Sequence, residues 1–239
     1  MSVAKITRKY IDSLDEAKLF TYDDIPSDKK TSVAIELSRL YKKGIVKKIS
    51  KGKFYKPKKR LFGEIDPSDN EKILSYLKNT SSNMIYETGV NNARRLGLTT
   101  QVSKRIVIAI NKPSREIKLD NINLKLVQVV ANAPKTDIYL LQILDAIKDI
   151  KKIPATTPEK TFIILKSIIK DEEEKKQKKL AKYALKYNPR TRALVGAILK
   201  DLGLMESAYL LKATLNPLTK YKVGISNDIL PSKKYWNIV

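Results

Sequence analysis

Residues 31–57 read TSVAIELSRLYKKGIVKKISKGKFYKP, and within them the period of the apolar positions changes. From about Thr31 the spacing is helical, with Leu37, Leu40 and Tyr41 on a common inner face. Gly44 is placed to end that helix in the left-handed conformation. Beyond it the pattern alternates. Ile45, Lys47 and Ile49 interleave with Val46, Lys48 and Ser50, and Lys53-Phe54-Tyr55-Lys56 forms a second short strand. Ser50-Lys51-Gly52 is the hairpin turn between them, and Pro57 closes the segment.

Upstream, Val3, Ile6, Tyr10 and Leu14 recur at helical spacing, which predicts a first amphipathic helix. Leu19 and Phe20 lead into Thr21, a cap for a brief helix over residues 22–25, with Asp23 and Asp24 in its first turn. Helix, short helix, turn, helix and basic hairpin is the order of a winged helix-turn-helix. In such modules the second helix of the turn enters the major groove and the wing lies along the backbone. Lys29, Lys30, Thr31 and Ser32 gather at the N-terminal end of the third helix, and Ser32, Glu36 and Arg39 are expected to reach base edges. Lys47, Lys48, Lys51, Lys53 and Lys56 decorate the hairpin and are expected to meet phosphates.

Charge supports that reading. The chain has 239 residues, with 48 Lys plus Arg against 25 Asp plus Glu, a net charge of +23. A surplus this large repels itself in the folded state unless a polyanion sits on part of it. It is densest over residues 42–60, which hold ten basic residues and no acid. Double-stranded DNA is the partner this predicts. The main rival is a protein-interaction module whose basic faces meet an acidic partner.

Cysteine and histidine are absent, which removes disulfides, thiol nucleophiles, the Ser-His-Asp triad and His-ligated metals. There is no Gly-rich phosphate loop followed by Lys-Ser/Thr. One catalytic pattern stands out. Glu116-Ile117-Lys118 on a predicted strand, with Asp66, Asp69 or Glu87 upstream, is how a metal-dependent nuclease arranges its ligands and lysine. Glu and Lys also alternate by chance on exposed strands of a charged chain. The reading is therefore of a protein that is not an enzyme, with no cofactor and no metal. Phe54-Tyr55 and Tyr183 or Tyr187, interleaved with lysine, could stack single-stranded bases. No stretch approaches about 18 apolar residues, and the first residues lack an apolar leader core. A cytoplasmic protein without a membrane partner is expected.

The fold class read from the whole chain is α+β, in three parts. Residues 1–60 form the winged helix-turn-helix. Residues 61–153 form a small central α+β unit: a connector at 61–68, helices through Ile73, Leu74 and Leu77 and over 89–96, strands at 105–110, 115–119 and 124–130 with a turn at 120–121, and a helix over 137–150. Residues 154–239 are mainly helical, over about 158–170, 172–187 and 190–202, with strand-like pieces at 221–225 and 236–239.

Leu37-Ser38-Arg39-Leu40, Lys43-Gly44-Ile45, Ile49 and Lys51-Gly52-Lys53-Phe54-Tyr55 together resemble the winged-helix segment of AbiEi-type antitoxins. Thr88-Gly89 and Leu96-Gly97-Leu98-Thr99-Thr100-Gln101-Val102, with the strands after them, are similar to the same family's central region. The resemblance spans roughly residues 20–130. It implies the antitoxin of an abortive-infection, type IV toxin–antitoxin operon. The N-terminal domain would bind inverted repeats in its own promoter and repress it, and the remainder would counter a nucleotidyltransferase-type toxin. The DNA-reading role would fall on the third helix and wing. The toxin-countering surface does not carry over, because the resemblance stops short of the last 85 or so residues.

Overall fold

The computed structural model describes residues 1–239 except Leu61, Phe62, Asn79, Ser81, Asp120 and the Lys59 side chain. The chain divides into two compact units, Met1–Ser81 and Ser82–Val239.

The first unit opens with α1 (Val3–Asp12), capped by the Ser2 hydroxyl, and buries Thr7 and Ile11. Strand β1 (Leu19–Thr21) follows. Thr21 then starts a single 3-10 turn over Tyr22–Asp24: its hydroxyl accepts from the Asp23 N–H, and its own N–H donates to Asp24 at 2.9 Å. The sequence predicts Thr21 as the cap; the structure adds the return bond to Asp24 and ends the turn at Asp24, one residue before the expected Ile25. Helix α2 (Lys30–Lys42) ends as expected at Gly44, with φ +70°. There the Ile45 N–H reaches the Leu40 carbonyl and the Gly44 N–H that of Tyr41, a Schellman closure. Strands β2 (Lys47–Ser50) and β3 (Lys53–Tyr55) form the wing, with a bulge between Lys48 and Ser50. The sheet order is β1-β3-β2, all antiparallel.

Ile11, Phe20, Ile25, Val33, Leu37, Leu40, Val46 and Phe54 make one core. Helix α1, the 3-10 turn, α2 and the three-stranded sheet thus close on a common centre, as a winged helix-turn-helix. Tyr41 is a correction: it stands half exposed, outside the stripe of Val33, Leu37 and Leu40.

The residues read as a connector form a second hairpin, β4 (Lys58–Arg60) and β5 (Gly63–Ile65); Leu61 and Phe62 lie outside the described residues. Helix α3 (Asp69–Lys78) buries Ile73 and Leu77. It is tied to the winged helix by Glu71, which accepts from the Leu19 N–H at 3.0 Å, and by Lys78 on Asp24 at 2.7 Å. These ties carry the first unit past residue 60, the expected boundary.

In the second unit, β6 (Ile85–Thr88) runs straight into α4 (Gly89–Arg95). Strands β7 (Arg105–Ile110), β8 (Arg115–Leu119) and β9 (Ile122–Gln128) complete a sheet of order β6-β7-β9-β8, with β7 and β9 parallel. Asp120, in the expected turn, lies outside the described residues. Five helices follow: α5 (Ile138–Lys148), α6 (Pro158–Lys170), α7 (Glu174–Ala184), α8 (Pro189–Asp201) and α9 (Met205–Lys212). The last residues return in a single parallel bridge, Tyr221 to Ile238.

One apolar core runs from Tyr86 and Ala109 of the sheet through α5 to Trp236. The expected boundary at 153/154 therefore cuts through a single core. Asp145, on the inner side of α5, is buried in that core and satisfied: Tyr86 and Thr88 donate to one oxygen, Tyr187 and Lys148 to the other. Among the described residues no helix is long and apolar enough to cross a membrane.

Candidate nucleic-acid interface

Helix α2 has two faces. Val33, Glu36, Leu37 and Leu40, at i, i+3, i+4 and i+7, are its buried stripe. Thr31, Ser32, Ile35, Ser38, Arg39 and Lys42 form the opposite face and stand in solvent. Lys29, at the N-cap, makes no side-chain cap and is itself exposed. Between α2 and the wing lies a groove of about 300 Å³ lined by Tyr22, Ala34, Ser38, Tyr41, Lys42, Lys48 and Phe54.

Glu36 is the clearest correction. Its side chain is 3% exposed, and its Oε1 accepts from Arg8 of α1 through Nε and Nη2, both at 2.8 Å. Its other oxygen has no hydrogen bond; Arg39 Nη1 lies 3.6 Å away, an ion pair only. A carboxylate sealed in the helix stripe cannot reach a base edge. It instead places two guanidinium groups side by side, with the Arg8 and Arg39 side chains 58% and 69% exposed.

The expected basic contacts divide likewise. Lys29, Lys42, Lys48 and Lys51 are exposed and have no carboxylate partner among the described residues. Lys30 turns back, its Nζ 3.1 Å from the Tyr22 carbonyl and 3.7 Å from Asp23. Lys47 is ion-paired with Glu64 of β5, which raises the ammonium's pKa. Lys53 is half-buried over the Tyr76 ring, and burial lowers its pKa. Lys56 donates to the Asp12 carbonyl at 3.4 Å. A lysine paired with a carboxylate brings no net charge to a phosphate, and one held over a ring or on a backbone carbonyl keeps its charge but must leave that contact to reach one. The wing therefore offers two free cations of the five expected.

The signal for the missing residues was present. Ile35, Ser38 and Lys42 complete the exposed face simply because they lie opposite Val33, Leu37 and Leu40. Glu36 falls inside that stripe by the same count. Arg8 is a different case, since only the fold brings α1 to the carboxylate of α2.

The other candidate chemistry is dispersed. Phe54, Tyr55 and Tyr187 are buried, Tyr55 donating to Asp66 at 2.6 Å. Tyr183 donates to Asp137 at 2.7 Å, and burial first and then that carboxylate push its hydroxyl up to about 12. Three of the four are thus packed in the cores, and Tyr183 is half-buried with its hydroxyl engaged. Glu116 is ion-paired with Arg105. Glu87 sits on β6, with Arg95 at 2.8 Å, while Glu116 is on β8 at the far edge of the sheet. Three strand spacings, about 14 Å, separate those edges, so the two acids cannot share an ion. Asp66 and Asp69 belong to the first unit. Among the described residues no three potential metal ligands converge.

A winged-helix module followed by a mixed sheet with packed helices is the class of protein that the geometry defines. The chain belongs to the Family of unknown function (DUF6088), whose match covers residues 6–198, from α1 into α8. No curated protein matches the sequence. Among solved structures, the RV2827C protein from Mycobacterium tuberculosis is similar over 94% of this chain and 84% of that one, with a TM-score of 0.51 and 10% identity. At that identity the likeness is one of fold.

Proposed function

We propose that the protein is a sequence-specific, double-stranded DNA-binding repressor. The observation that carries this reading is the solvent face of α2, set opposite a buried stripe and framed by unpaired lysines on the helix and wing. In a major groove, Arg39 is the side chain suited to the O6/N7 edge of guanine and Ile35 to a thymine methyl. Lys29, Lys42, Lys48 and Lys51 neutralise phosphates, which fix register without reading sequence.

The resemblance to AbiEi-type antitoxins extends the proposal. The protein then binds inverted repeats in its own promoter, works in the cytoplasm without catalysis, cofactor or membrane, and counters a nucleotidyltransferase-type toxin encoded beside it. The test is fluorescence anisotropy on the duplex upstream of its own reading frame and on a scrambled duplex. A preference for the upstream duplex that Arg39→Ala abolishes supports a sequence-reading repressor. No binding to either at about 50 mM salt refutes DNA recognition. The antitoxin role is tested separately by co-expression with the adjacent reading frame, where growth arrest that the protein fails to relieve counts against it.

A further inference from the structure

The second unit carries a basic surface of another make. Lys175, Lys178, Lys182 and Lys186 follow one another at steps of three, four and four residues. They form a row along α7 and the turn after it. The row is exposed and lies opposite the buried Gln177, Leu180, Ala181 and Ala184. Lys178 is held by Glu174 at 2.6 Å. Lys175, Lys182 and Lys186 have no carboxylate partner among the described residues.

Helix α9 packs beside α7. It puts Ser207, Ala208 and Leu211 inside and leaves Met205, Tyr209 and Leu210 between 39% and 50% exposed. The two helices are in contact, so the lysine row and the apolar face stand on neighbouring elements. Glu206, on the solvent side of α9 with Met205, Tyr209 and Leu210, is close enough to Lys178 to add to the rise in its pKa that Glu174 causes.

Three large apolar side chains on two turns of a surface helix differ from scattered exposed ones, since together they keep a patch of hydrocarbon in water. An apolar centre bordered by polar groups is also how protein interfaces are built. What covers it must bring hydrocarbon to Met205 and Leu210 and carboxylates to the lysine row. A nucleic acid brings anions and can stack on Tyr209, but has no aliphatic surface for the other two. A second copy related by a twofold axis would bring the same positive row towards this one.

We propose that the α7–α9 surface docks an acidic protein, whose apolar side chains cover Met205, Tyr209 and Leu210 while its carboxylates meet Lys175, Lys182 and Lys186. The proposal rests on the surface alone and does not depend on the antitoxin reading.

The experiment uses the full chain and three labelled probes: an amphipathic helical peptide with leucine on one face and glutamate on the other, the same peptide with serine for leucine, and single-stranded oligo(dT). The leucine peptide is expected to bind at least about tenfold more tightly than either other probe. Leu210→Glu and the double variant Lys182→Glu/Lys186→Glu should each weaken it by about tenfold or more. All these positions are solvent-facing, and an unchanged far-UV spectrum shows that the variants are folded. Equal binding of the serine peptide, tighter binding of oligo(dT), no binding of any probe, or indifference to Leu210→Glu would each overturn the proposal. Peptide binding that holds while co-expression fails to relieve growth arrest would retire the antitoxin reading and leave the surface standing.

Discussion

Replacing Glu36 separates a base-reading residue from a buried one. If Glu36 faced DNA, Glu36→Ala would alter base preference and leave stability untouched. In the structure its Oε1 accepts two bonds from Arg8 at 2.8 Å inside the α2 stripe. Glu36→Gln keeps the shape and the acceptor but turns two ion-paired bonds into bonds from a cation to a neutral oxygen, a loss of about 1–2 kcal/mol. Glu36→Ala also empties volume in the stripe. Stranding a fully buried partner costs about 3–5 kcal/mol, but Arg8, more than half exposed, regains water, so about 2–3 kcal/mol is expected. Hydrogen exchange reads this directly: amides of α1 and α2 should exchange about 30–150-fold faster in Glu36→Ala, the factor matching that free energy. Affinity for duplex DNA should be no lower, because a carboxylate beside the basic face has been removed, and any change in base preference should accompany the loss of protection, since Glu36 acts on the bases only through Arg39. Unchanged protection together with a changed base preference would refute the buried assignment.

Further outcomes concern the second unit. A Cβ on Gly196 of α8 would stand 2.3 Å from two ring carbons of the fully buried Trp236, so Gly196→Ala should cost about 2–3 kcal/mol; a wild-type urea midpoint and tryptophan emission would contradict the packing. Asp145→Ala strands three hydroxyls and Lys148 around a missing carboxylate, a loss of about 3–5 kcal/mol, and a change below about 1 kcal/mol would show that the network is dispensable. Lys179, at 2.8 Å, and Tyr183 hold the Asp137 carboxyl below its usual range. Its charged form therefore stabilises the fold fully above the unfolded value of about 3.9, and that contribution is lost as pH falls through the lower folded value. The stability gap between wild type and Asp137→Asn, followed by acid titration in fixed urea, should be flat near neutrality and close below about pH 4; a gap that persists into strong acid would count against the pairing.

The order of elements in the first unit was legible because each is marked locally. Thr21 with Asp24 caps the short turn, Gly44 closes α2, and the change of period at Ile45 opens the wing. β1 was not legible: Leu19–Thr21 is three residues long, and only its pairing to β3 makes it a strand. The hairpin of β4 and β5 is as short on each side. Asp145 shows a further limit. It interrupts an apolar helix face, and nothing local says that Tyr86, Thr88 and Tyr187 come from distant positions to satisfy it. The candidate site divides along the same line. Which side of α2 faces out follows from the helical period, but which lysines are free does not. That depends on where Glu64, Tyr76 and the Asp12 carbonyl arrive.

That dependence can be measured. Counting lysines by sequence gives seven phosphate contacts, from Lys29, Lys30 and the five on the wing. Counting only the unpaired lysines at the start and on the solvent face of α2 and on the wing gives four: Lys29, Lys42, Lys48 and Lys51. With a slope of about −0.9 per phosphate for duplex DNA, a fourfold rise in salt lowers affinity about 6,000-fold in the first case and about 150-fold in the second. Two copies on one duplex would double the slope and blur this contrast, so the total alone does not decide. Single substitutions do. Lys48→Ala and Lys51→Ala should each flatten the slope by about one contact per copy, evenly across sequences. Lys47→Ala and Lys53→Ala should leave the slope unchanged. Losing the Glu64 pair or the Tyr76 ring contact would instead appear as lower stability. If Lys47→Ala or Lys53→Ala flattens the slope as Lys48→Ala does, those ammonium groups leave their partners on binding, and the free-cation count is wrong.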